Sequence, residues 1–132
     1  MINDYPKDLK YTPSHIWVKT EVRGNKKFAW VGITEELANR LREILSIDMP
    51  MVGDELEMDA PCIHIHRPTS IYEMNSPLSG RATTINKDVL DTPRLIALAP
   101  YKHWFFCMEY DDDEELDLLL SAHQYAAHLD SL

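Results

Sequence analysis
Residues 15–33, HIWVKTEVRGNKKFAWVGI, restrict the fold of this chain more than any other stretch. Two runs rich in β-branched and aromatic side chains flank Arg23-Gly24-Asn25, and Gly and Asn are the residues that accept the positive φ of a tight hairpin loop. The segment reads as a β-hairpin. After the hairpin, Thr34 is a good N-cap and Glu35 and Glu36 suit the positive end of a helix dipole. Leu37, Leu41, Ile44 and Leu45 then recur at helical spacing, which predicts a helix of about three turns.

From Ser46 to Asp59 the pattern returns to short strand-like pieces around Pro50 and a turn at Gly53-Asp54. Strands are expected at 61–66, 70–75 and 80–85, separated by turns containing Pro or Gly. Asn86 can cap a short helical turn through Leu90 that Pro93 stops, and the aromatic run at 103–110 reads as a buried strand. The acids at 111–115 precede Leu116, Leu119, Leu120, Tyr125, Ala126 and Leu129, the pattern of a helix whose first turn carries negative charge. Trp17, Trp30 and Trp104, with Met49, Met51 and Met58, read as core fillers rather than as a cofactor box.

A formal charge of −9 repels a phosphate backbone, and no basic cluster exceeds Lys26-Lys27, so nucleic acid is not an expected partner. The same acidity disfavours anionic membrane surfaces, and no apolar run approaches the roughly 20 residues a spanning helix needs. The polar start of the sequence has no basic-then-apolar signal pattern, which makes the cytoplasm the expected location. Cys62 and Cys107 are too few for a disulfide framework and too far apart for a CxxC motif, so both are expected to be structural thiols.

Several pieces occur in a telling order: LKYTPSHIWV at 9–18, VGITEELANRL at 31–41, MPMVGDELE at 49–57, NSPLSGRATTIN at 75–86, LDTPRLI at 90–96 and APYKHWFFCME at 99–109, closed by an acidic-then-leucine segment. Together they resemble the H protein of the glycine cleavage system. The resemblance implies a mainly β fold with added helices, a flattened antiparallel β-barrel of the barrel-sandwich hybrid or lipoyl-domain type, with a C-terminal helix. One domain is expected over residues 1–132, with 1–8 as an N-terminal extension and 112–130 as the C-terminal helix. In the family, a lysine at a hairpin tip carries lipoate, which shuttles an aminomethyl group and electrons among the decarboxylase, aminomethyltransferase and dihydrolipoamide dehydrogenase components.

Counted back from Pro77, the position that resembles the family's lipoyl-lysine is Thr69, in the window His66-Arg67-Pro68-Thr69-Ser70. No lysine occurs between Lys27 and Lys87, so a small register shift cannot restore one. Lipoate attaches as an amide to a primary ε-amine, and Thr69 has neither the amine nor the four-carbon stem, while the always-protonated Arg67 is not a usable nucleophile. Covalent lipoate is therefore not expected. Pro68 still pre-sets φ for a tight turn from Arg67 to Ser70, so the hairpin can persist without a cargo.

The strand before that turn reads Cys62, Ile63, His64, Ile65, His66, and a period of two puts Cys62, His64 and His66 on one face. His64 and His66 could form half of a divalent metal site, with Cys62, Glu73 or His103 as a further ligand. Alternatively the isoleucines face the core and the histidines coat a solvated strand. His15 and His103 sit beside aromatic residues and read as packed, hydrogen-bonded groups, and His123 and His128 as surface groups. With no nucleophile elbow, phosphate loop or HExxH, and with Ser79 best read as part of a turn, an enzyme is not expected.

The leading expectation is an H-protein-like scaffold without the carrier lysine, working through contacts with other proteins of a lipoate-dependent or one-carbon system. Its docking surface would include the 64–75 hairpin and the acidic face. The alternatives are a small metal-binding or metal-sensing module built on His64 and His66, and an unorthodox participant in glycine cleavage. A monomer or weak homodimer is expected.

Overall fold
The computed structural model describes residues 5–132, so residues 1–4 of the expected N-terminal extension lie outside the described residues. β1 (Lys10–Tyr11) leads into the long hairpin of β2 (Ile16–Arg23) and β3 (Lys26–Ile33), paired without interruption from Ile16↔Ile33 to Arg23↔Lys26. Gly24, at φ 61°, supplies the left-handed residue that this two-residue loop needs.

Thr34 accepts from the Leu37 N–H and starts α1 (Glu35–Leu41), which buries Leu37, Ala38 and Leu41. The helix stops at two turns rather than the three expected. Arg42 takes φ 58°, and Ile44 reaches the core from the following loop while Leu45 is exposed. The helical spacing of Ile44 and Leu45 therefore misleads, because helix and loop both bury one side toward the same core.

β4 (Ser46–Asp48) and β5 (Glu55–Leu56) are the short pieces expected before residue 59, with Gly53 at φ 93° in the turn between them. Met51 is corrected here: its side chain is exposed, in a loop held by the Asp54 carboxylate, which accepts from the Met51 N–H. β6 (Pro61–His66), β7 (Ile71–Asn75) and β8 (Gly80–Ile85) follow the expected order. Next come α2 (Lys87–Asp91), capped by Asn86 as anticipated, then α3 (Leu95–Leu98), which was not, and β9 (Phe106–Tyr110).

The tail is two helices instead of one: α4 (Asp113–Asp117) and α5 (Ala122–Asp130). Between them Leu120 bonds to Tyr11 in both directions, at 2.8 and 2.7 Å, adding a bridge beside β1 that a continuous helix could not make. Ser121 and Gln124 then form a capping box that restarts the helix.

Two antiparallel sheets result, one of six strands ordered β1-β2-β3-β9-β8-β5 and one of three ordered β4-β6-β7. Val18, Ala29, Val31 and Met108 from the larger sheet and Ile47, Ile63, Ile65 and Met74 from the smaller belong to one buried core. The fold class is thus the mainly β barrel-sandwich type with helices, although strand pairing does not close the two sheets into a barrel among the described residues. A second cluster of Leu9, Tyr11, Trp17 and Tyr125 lies under α5, where Tyr11 and Tyr125 stack at 4.9 Å.

Candidate functional site
The β6–β7 hairpin is the candidate site. Ile63 and Ile65 are fully buried, and His64 and His66 alternate with them on the outer, partly exposed face. At the turn, the Arg67 N–H donates to the Ser70 carbonyl at 2.8 Å, and Pro68, Thr69 and Ser70 are exposed. Thr69 thus stands at the solvent-facing tip.

Arg67 is not a free tip charge. Its Nε donates to the Leu41 carbonyl at 3.0 Å, Nη2 to the Arg40 carbonyl at 3.5 Å, and Nη1 to Ser70 Oγ at 3.3 Å. A guanidinium on the last carbonyls of α1 satisfies groups that a helix end leaves unpaired, and it meets the negative end of the helix dipole. The same contacts fasten the hairpin tip to α1.

The outer face carries two short imidazole–carboxylate pairs. Asp48 on β4 meets His66 at 2.7 Å, and Glu73 on β7, directly across the ladder, meets His64 at 3.3 Å. The two histidines are drawn toward opposite neighbouring strands. Asp48 was missed from sequence; the exposed-buried-exposed alternation of Ser46, Ile47 and Asp48 is the signal that puts it on this face.

Cys62 does not join them, contrary to the period-two expectation. The ladder shifts register between Pro61 and Ile63, so Cys62 is the extra residue of a β-bulge and packs against the core. Burial pushes its thiol up to about 12, far from the thiolate that a metal ligand requires. Among the described residues, no group of three His, Cys, Asp or Glu side chains is placed to hold a metal ion, so His64 and His66 find no third ligand in Cys62, Glu73 or His103.

The turn after β7 is tied to the acidic tail. Glu115 accepts from the Ser79 backbone N–H and from Ser79 Oγ, both at 2.8 Å, while Ser79 Oγ accepts from the Met58 N–H. Asp112 caps α4 through the Glu114 N–H, and Asp113 pairs with Lys27 at 2.7 Å. Part of the acidic run therefore closes the structure, as a helix start should, while Asp111 and Glu114 stay exposed.

His15 is buried, with Nδ1 sharing a 2.7 Å hydrogen bond with Tyr125 OH, which also meets Thr34 Oγ1 at 2.9 Å. Burial holds this imidazole below its ordinary value, and the Arg40 charge acts in the same direction.

Two facing antiparallel sheets with an exposed hairpin tip are the arrangement expected of the lipoyl-domain fold. The glycine cleavage H-protein family profile matches residues 9–132, and the chain belongs to that family. It is 35% identical over 121 residues to the glycine cleavage system H protein of Bacillus licheniformis, covering 91% of this chain and 92% of that protein. It is also 35% identical over 130 residues to that of Photorhabdus laumondii, covering 98% of each. A crystal structure of the Mycobacterium marinum H protein superposes with a TM-score of 0.79 over 97% of this chain and all of that one, at 24% identity, in agreement on the fold. An H protein is a carrier and not a catalyst, so family membership makes this chain a non-enzyme. No helix of the described residues is long and apolar enough to cross a membrane.

Proposed function
We propose that this chain is an H-protein-like scaffold that carries no covalent lipoate and acts by docking other proteins of a lipoate-dependent or one-carbon system. The observation that carries the proposal is Thr69 at the exposed tip, in a stretch from Phe28 to Asn86 that contains no lysine. A hydroxyl on a short branched stem offers no ε-amine for an amide and no reach for a swinging arm.

The hairpin is nonetheless kept in order. Its turn is closed, its tip is fastened through Arg67, and its outer face presents the exposed Ile71 beside the histidine pairs. A retained, rigid hairpin without its acceptor supports a role in contact instead of carriage. The exposed acids of the tail extend the docking surface, and the working state is a cytoplasmic monomer or weak homodimer.

The test is intact-mass spectrometry after incubation with lipoate, ATP and a lipoate ligase, beside affinity capture with the chain as bait. An unmodified mass with a reproducible protein partner is the expected result. A stoichiometric lipoyl adduct on any lysine refutes the scaffold reading and favours participation in glycine cleavage by an unorthodox route.

A further inference from the structure
On the outer face of the six-stranded sheet, away from the shared core, the ladder pairs Trp17 with Gly32 and Lys19 with Trp30. Directly paired residues of an antiparallel ladder project from the same face, so Trp17, Lys19 and Trp30 stand together. The segment after α3 brings Tyr101, Lys102 and Trp104 over them, and these six residues, with Thr20 and Glu21, line a cavity of about 420 Å³. That volume lies within the range of small-ligand sites.

The cavity is built firmly. Trp17 Nε1–H donates to the Pro100 carbonyl at 2.9 Å, and its indole lies across Gly32 so closely that any Cβ there would collide with the ring. Tyr101 OH accepts from the Glu35 N–H at 3.1 Å, and Asn86 Nδ2 donates to the Trp104 carbonyl at 2.7 Å, so both ends of the covering segment are fixed. A rigid wall of indoles requires little reordering when a flat group stacks on it.

The charges decide the ligand. Lys19 and Lys102 have no carboxylate within ion-pair distance among the described residues, although the chain carries a net −9. The one lining carboxylate, Glu21, is engaged by Arg23 at 3.0 Å. Indole faces alone would also draw a cation, but two ammonium groups at the same cavity oppose one, and Arg23 already sits 5.7 Å from the Trp30 ring centre. We infer that the cavity is a binding site for a small anionic ligand with a planar ring, the ring stacking on Trp30 and Trp104 and its carboxylate or phosphate meeting Lys19 and Lys102.

The chain has three tryptophans, so a ¹⁵N spectrum resolves three indole N–H signals, and the probes are 1-naphthoate and 1-naphthylmethylammonium. Saturable 1:1 shifts of the Trp30 and Trp104 signals with 1-naphthoate are expected, with clearly weaker binding of the ammonium probe. Both lysines are exposed, so the Lys19→Glu, Lys102→Glu double variant should keep the wild-type melting temperature and lose about tenfold or more in naphthoate affinity. Trp30→Val tests the ring half separately and should weaken both probes. The inference is overturned if 1-naphthoate gives no saturable shift, if the cationic probe binds as tightly, or if charge reversal changes the affinity by less than about twofold.

Discussion

Tyr125→Phe removes one oxygen and leaves the aromatic packing in place. The ring still stacks on Tyr11 at 4.9 Å with an interplanar angle of 8°, so the change isolates the hydroxyl. That hydroxyl bonds to His15 Nδ1 at 2.7 Å and Thr34 Oγ1 at 2.9 Å, and all three residues are buried. Thr34 Oγ1 keeps its bond from the Leu37 N–H, whereas His15 Nδ1 is left without a partner. An unsatisfied buried polar group costs about 1–3 kcal/mol, which sets the loss at about 2 kcal/mol. With an unfolding entropy of ~2 cal/mol/K per residue, a chain of 132 residues should then melt about 7 °C lower. Calorimetry at neutral pH checks this, and a fall of less than about 2 °C would refute the reasoning by showing that the hydroxyl does not hold His15.

Four further outcomes follow from the same geometry. Because burial lowers the folded-state pKa of His15 from its ordinary 6.5, the unfolded chain binds a proton that the folded chain refuses, so the His15 contribution falls as pH drops below about 6.5. His15→Asn, which suits the φ of 72° there, should flatten that part of the pH dependence in melts at about pH 5.5 and 7.5. Thr69→Lys should turn the chain into an acceptor for lipoate ligase, seen as a single mass adduct; an unmodified variant would show that the tip is not presented as a carrier hairpin. Arg67→Met keeps the stem but loses the bonds to α1, and should cost about 1 kcal/mol with faster amide exchange confined to the 64–73 hairpin and the end of α1. Gly32→Ala must displace the Trp17 indole from its bond to Pro100, and should cost about 2 kcal/mol or more by chemical denaturation and broaden the Trp17 indole signal.

Where local chemistry determines structure, reading the sequence succeeded: the Gly24 loop, the Thr34 and Asn86 caps and the Ile63/Ile65 alternation each stand where their residues put them. It failed where a distant residue decides. α1 ends without a glycine or proline, and its final carbonyls are taken by Arg67, 26 residues further along for Leu41. The split of the tail was half legible, since Ser121 and Gln124 have capping-box spacing, but the bridge from Leu120 to Tyr11 that makes the split useful is not a local property. At the site, the tight turn through Pro68 and the outward histidine face were legible from composition and period. The bulge that takes Cys62 out of that face leaves no mark in PCIHIH, because it depends on how β6 meets β7.

The six-stranded sheet has its middle written near the end of the chain. β9, residues Phe106–Tyr110, lies between β3 and β8, and each of those strands borrows its inner ladder from it. As the protein is synthesised, the β2–β3 hairpin can form early, yet β3 must wait about 75 residues for its second neighbour, from Val31 to Phe106. Until then both halves expose open edges of the kind that recruit stray strands. A nascent chain halted before residue 106 should behave as a client for chaperones, and release past Tyr110 should be the step at which the domain first becomes resistant to proteases.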